Sequence, residues 1–311
     1  MTNREPTRTE SDWVQYLDQV EIPVLRRTTL ELARLRENED KITPRDIAPV
    51  LLHDPMFTLR VLRHLQSRRR PVQQTDITTV QHALMMLGIT PFFSHFTDLP
   101  VVESTLASHP SALDGLMRVV FRAHHAALYA RDWADLRQDA RADEVAIAAL
   151  MHDLTEMLLW CFAPEASLRI ASLQQAQVSL RSKVAQASVF GFSFSDIQVK
   201  LIRQWTLAPM LQDLIDDSRS QHPRTVNVAL AIRLARHSAD SWENAALPDD
   251  YAAIQQFLKL PQSETLARIH RTAVAAQSTR DWYHQESAPT PPDLGESMAA
   301  AKCAAKPDLF D

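Results

Sequence analysis

The chain has 311 residues, 45% of them hydrophobic and 23% charged, enough apolar material for a full core, with a formal net charge of −5 at pH 7. That balance, with a pI near 6.2, argues against a nucleic-acid or anionic-membrane protein, which carries a concentrated basic face. Only four glycines occur, Gly88, Gly115, Gly191 and Gly295, so there is no glycine-rich phosphate loop and little material for hairpins; an all-α fold is expected.

In chain order, residues 1–12 are polar and read as a disordered leader rather than a signal peptide. Residues 13–36 form a first amphipathic helical region, with Pro23 setting a helix entry near Val24. Helices over 46–66 and 79–87 follow, then a crossing at Pro91-Phe92-Phe93 and a loop with weak helical content over 103–115. The spacing of apolar residues predicts helices over 116–136, 143–161, 164–188, 195–204, 208–217 and 225–239. Patterns over 251–258 and 263–276 place one or two further helices in an extension, 241–277, packed on a main domain of 13–240; 278–311 reads as a disordered tail. There is no internal repeat. The longest apolar run, 157–163, is too short to span a bilayer, and Cys161 and Cys303 make no disulfide framework, so a cytoplasmic protein without membrane insertion is expected. Trp160 and Trp205 read as core.

The most informative phrase is Ala149-Leu150-Met151-His152-Asp153-Leu154-Thr155-Glu156-Met157-Leu158. A His-Asp pair sits there within helically spaced apolar residues, where imidazole and carboxylate are costly to bury without partners. The obvious donor is the upstream helix with Arg122-Ala123-His124-His125. A His from one helix and a His-Asp pair from another is the skeleton of a metal site. His124 and His125 point about 100° apart, so only one of them can face the pair.

In this the chain resembles the HD superfamily of metal-dependent phosphohydrolases, whose signature adds a distant Asp. The segment similar to that last element is Ile232-Arg233-Leu234-Ala235-Arg236-His237-Ser238-Ala239, and Arg236 stands where the carboxylate belongs. A guanidinium cannot ligate a cation, so the site looks dismantled. A dismantled HD site in a helical chain resembles the HD-related output domain, HDOD. Further phrases fit it in order: Ile42-Thr43-Pro44-Arg45-Asp46 before Leu52-His53-Asp54-Pro55, the helix closing on Leu87-Gly88, Phe190-Gly191, and Trp205-Thr206-Leu207-Ala208-Pro209. The chain departs from the family at Phe194, where a His is common, and at Gln66-Ser67, where Asn-Ser is common. The resemblance favours His125 over His124 as the residue facing the pair, since Ala130 then takes the place of the family's following alanine.

The resemblance implies a non-catalytic bacterial signalling module, from a family found near chemosensory and cyclic-di-GMP systems, that acts on a protein partner without metal or cofactor. The alternative is a metal-dependent phosphohydrolase acting on a nucleotide or cyclic dinucleotide through His124 or His125, His152 and Asp153, with Glu156 or His222 as a fourth ligand. A small-ligand sensor using the vacated pocket is a third reading. Each residue also has a plain structural role. His152 and Asp153 can cap a neighbouring helix or, through Asp153, pair with Arg236; His53-Asp54 reads as helix-start chemistry. Arg68-Arg69-Arg70, the only compact basic cluster, is a solvated loop or a docking patch for phosphate or an acidic partner.

Overall fold

The computed structural model describes residues 8–67, 79–177, 179–216, 222–283 and 290–291. Arg68, Arg69 and Arg70 lie outside them, as does most of the expected tail. The described chain is helical throughout, the only β pairing among the described residues being one parallel bridge between Val24 and Val101.

The order is α1 (Glu10–Gln19), α2 (Arg26–Arg36), α3 (Pro44–Leu52), α4 (Pro55–Ser67), α5 (Val80–Leu87), α6 (Ile89–His95), α7 (Val102–Thr105), α8 (Pro110–Leu136), α9 (Ala142–Met151), α10 (Leu154–Phe162), α11 (Pro164–Ala176), α12 (Ser182–Phe190), α13 (Phe194–Gln204), α14 (Pro209–Ile215), α15 (Pro223–His237), α16 (Leu247–Leu258) and α17 (Gln262–Gln277). Proline opens α3, α4, α8, α11, α14 and α15, a position where its missing N–H costs nothing and its fixed φ suits the helix. Reciprocal capping boxes start α1, α3 and α13, from Thr9 with Asp12, Thr43 with Asp46 and Ser193 with Asp196. Gly191, at φ +88°, closes α12 in the left-handed conformation.

Several expected spans divide or shift. The first helical region breaks at Pro23, where Val24 leaves the helix to bond Pro100 and Val102. The span 46–66 breaks at His53-Asp54, because the Asp54 carboxylate accepts from Phe57 N–H at 2.9 Å and restarts the chain as α4. The span 143–161 breaks at the His152-Asp153 pair itself. The loop expected over 103–115 holds α7 and the first turns of α8. Gly115 belongs to α8 because Trp160 packs against its backbone; a Cβ there would lie 2.5 Å from the indole. Helical structure starts within the span expected as leader, since Thr9 caps α1 at Glu10.

Helix α8 is the axis of the fold and packs against α9, α10, α11, α15 and α17. By composition the stretch Ala142–Phe162 is long and apolar enough to cross a membrane, but 78% of that window is buried inside the fold. α16 and α17 pack on α15 and α8; the buried Asp250 of α16 binds Arg233 at 2.7 Å and His237 at 2.5 Å. The expectation of disorder past Ser278 fails at Arg280–Tyr283, a 3-10 turn whose Tyr283 is fully buried and donates to the His53 carbonyl at 3.0 Å. Tyr283 is buried and the half-buried Trp282 stacks on His53, aromatic burial that opposes the cost of ordering the turn.

Candidate functional site

His152 and Asp153 occupy the corner between α9 and α10. Asp153 stands at the N-cap position of α10 but makes no capping bond there, contrary to the capping role read from sequence. Capping falls to Gln198 of α13: its Oε1 accepts from Thr155 N–H and Oγ1 at 2.7 Å, and its Nε2 donates to the Met151 carbonyl at 2.9 Å. One buried amide therefore satisfies both helix ends and frees the carboxylate for other partners.

Those partners are cations. Arg122 Nη2 of α8 donates to Asp153 Oδ2 at 2.8 Å and to Glu156 Oε2 at 3.0 Å. His152 Nδ1 donates to Asp153 Oδ1 at 3.0 Å, and Arg236 Nη2 of α15 reaches Oδ1 at 3.3 Å. The Asp153 side chain is 9% exposed, Arg122 16% and Arg236 42%. Burial would raise the Asp153 carboxyl, but Arg236, Arg122 and His152 together hold it well below the usual carboxylate range. Of the two guanidinium groups, Arg122 is closer and better shielded from water, so it is the stronger partner. It also pairs with Glu156, and despite burial its own pKa is raised by Glu156 and Asp153.

Neither histidine of α8 faces the pair. His124 is stacked on His53, ring centroids 4.6 Å apart, and His53 in turn on Trp282 at 4.4 Å. His125 sits edge-on between Phe121 and Tyr129. Burial, then His53 and His125, holds His124 well below its usual pKa; burial alone brings His125 to about 4. Arg122, two residues upstream, takes the place the sequence assigned to a histidine. The available signal was an arginine in an otherwise apolar helical run. His222 caps the first turn of α15, accepting from Arg224 N–H at 3.2 Å. It stands roughly 20 Å from Arg236 along that helix, outside the cluster. Phe194 is core, edge-on to Phe190, and Asp54 is more than a cap: its Oδ2 also accepts from Leu25 N–H at 2.8 Å and Thr28 Oγ1 at 2.9 Å.

A divalent ion does not fit these residues. The carboxylate it would need is engaged by two guanidinium groups and an imidazole, and among the described residues no three His, Cys, Asp or Glu side chains converge as ligands.

The fold is an all-α multi-helix bundle with this arginine-filled His-Asp corner on its central helices. The HDOD domain matches residues 22–221, well over half of the chain. The chain belongs to the HDOD family. Among solved structures it is similar to the MmoQ response regulator of Methylococcus capsulatus, with 19% identity, TM-score 0.58, and coverage of 80% of this chain and 97% of that one. It is also similar to a virulence factor of Campylobacter jejuni, with 14% identity, TM-score 0.59, and coverage of 85% and 99%. An HDOD domain protein of Geobacter sulfurreducens matches at 18% identity and TM-score 0.45, over 88% of this chain and 99% of that one. No curated protein matches the chain.

Proposed function

We propose that the protein is a non-catalytic signal-transduction module that works by binding a protein partner. The observation that carries this reading is the occupancy of Asp153: Arg122 at 2.8 Å and Arg236 at 3.3 Å place positive charge where a hydrolytic HD site needs a cation and an activated water. A helical scaffold with its former centre locked by ion pairs suits a domain whose outer surface is read by another protein. The resemblance to MmoQ, named a response regulator, supports a signalling context.

Elemental analysis of the gently purified protein, combined with phosphodiesterase and phosphatase assays, tests the reading. The expected result is no stoichiometric iron, manganese or zinc and no hydrolysis above background. One equivalent of metal together with an activity abolished by Asp153→Asn would overturn it.

A further inference from the structure

We propose that the turn Arg280–Tyr283 is an intramolecular strap seated in a docking slot, and that a separate protein partner binds there by displacing it with an adjacent aromatic pair of its own. The inference deepens the reading as a partner-binding module and rests on it. The slot is built by residues of the HDOD-matched span: Arg27 of α2, His53 at the corner between α3 and α4, and Phe121 and His124 of α8. Its occupant comes from the extension, well beyond residue 221.

Planar groups make up the slot. The His53 ring stacks on Trp282 with centroids 4.4 Å apart and continues the stack onto His124 at 4.6 Å. The Arg27 guanidinium, held by Glu31 at 2.8 Å, lies 5.5 Å from the indole centroid. Burial lowers the pKa of both imidazoles, so they meet as neutral rings and the guanidinium supplies the charge, an arrangement that suits an indole. The Tyr283 ring packs 5.4 Å from Phe121 and 5.7 Å from His124, and its hydroxyl donates to the His53 carbonyl at 3.0 Å. Two neighbouring aromatic anchors, one beside an arginine and one with a polar handle on a backbone carbonyl, are the chemistry of a protein–protein hot spot.

The rest of the turn stays local. Trp282 N–H donates to the Thr279 carbonyl and the Asp281 side chain is 90% exposed, so the two rings carry the hold on the domain. Only Ser278 and Thr279 separate the turn from α17. A second copy could supply the aromatic pair only by drawing α17 off α8 with it, which favours a partner of different sequence over a swapped dimer.

The test titrates the full-length protein carrying both Trp282→Ala and Tyr283→Ala into a fluorescein-labelled peptide with the sequence of residues 278–283, Ser-Thr-Arg-Asp-Trp-Tyr, and follows anisotropy. The expected Kd is about 0.1 mM or tighter, with no binding of the same peptide ending in Ala-Ala and loss of binding on adding His53→Ala. A tethered occupant competes at an effective concentration of about 1 mM, so the wild type is expected to bind the probe about tenfold more weakly. If the double substitution costs the fold, hydrogen exchange of the wild type reads the same release: the Trp282 amide is expected to open at least about tenfold more often than amides at the centre of α8. No saturable binding to a folded double variant up to about 5 mM, equal binding by the wild type, or a Trp282 amide that opens only with global unfolding would overturn the proposal. A wild-type dimer abolished by the two substitutions would also overturn it, assigning the slot to a second copy. Failure of the non-catalytic reading would show instead as metal-dependent hydrolysis, which leaves this titration unchanged.

Discussion

Arg122 Nη2 lies 2.8 Å from Asp153 Oδ2 and 3.0 Å from Glu156 Oε2, so one guanidinium group on the central helix α8 holds the corner at which α10 begins. Arg236 approaches the same carboxylate from a much more exposed position. The two arginines therefore differ in energetic weight although both neutralise Asp153.

Replacing Arg122 by Ala removes the partner of Glu156 and leaves the buried Asp153 with only His152 and the more exposed Arg236, and is expected to cost up to about 3–5 kcal/mol; Asp153→Ala leaves Arg122 paired with Glu156 and is expected to cost less. Arg236→Ala breaks a partly solvated pair and costs about 1 kcal/mol or less. Urea unfolding of the three variants checks the ranking, and equal losses for Arg122 and Arg236 would show that exposure does not govern this cluster.

Placing a carboxylate beside Asp153 by Arg236→Asp alone is expected to create no metal site, since Arg122 still engages Asp153. Arg122→His combined with Arg236→Asp removes both guanidinium groups and supplies an imidazole and a carboxylate, and is expected to bind manganese or zinc measurably. Calorimetric titration of the single and double variants distinguishes the two; tight binding by Arg236→Asp alone would mean that Arg122 swings away freely.

Acid should destabilise the fold well before its surface carboxylates matter. His53, His124 and His125 are neutral when folded, their pKa values lowered by burial. Unfolding lets each take a proton near pH 6.5, so their contribution is full above that pH and is lost as pH falls through the folded values. Asp54 runs oppositely: burial raises it to about 6, so it favours the folded state at low pH and loses that contribution as pH rises through 6. From His125 and Asp54 the terms are each about 3 kcal/mol and nearly cancel, leaving His124 and His53 to decide the sign. Asp153, held low, contributes above the ordinary carboxylate range and loses that only in stronger acid. The Tm should fall between about pH 7 and pH 4.5, and fall less in His124→Phe. Superimposable profiles for the two proteins would exclude His124 as a source.

Gly115→Ala is expected to destabilise despite the better helix propensity of alanine. The gain is about 1 kcal/mol, while a Cβ within 2.5–2.8 Å of three Trp160 ring carbons imposes an overpacking cost of about 1–3 kcal/mol. A paired Trp160→Leu change should recover part of the loss, measured as Tm; no recovery would place the strain elsewhere.

Much of this architecture is written locally. Prolines at first helical positions, capping boxes at Thr9, Thr43 and Ser193, and Gly191 at a left-handed stop mark helix ends through bonds within a few residues, and these are legible in sequence. The ordered phrases from Ile42 to Pro209 likewise carried the family, and the His152-Asp153 pair announced a special corner. What occupies that corner was decided by tertiary structure. Arg122, His124 and His125 lie within four residues of one helix and point in different directions, so the rotation of α8 about its axis selects among them. That rotation is set by its packing on α9, α10 and α15, whose contacting residues are distant in the chain. The same holds for Gln198, which caps α10 from α13, and for Trp282 and Tyr283, which close over His53 from a segment whose composition alone reads as tail. Local chemistry fixes where helices start and stop, whereas the partner of a buried charge is chosen by how whole helices are turned against one another.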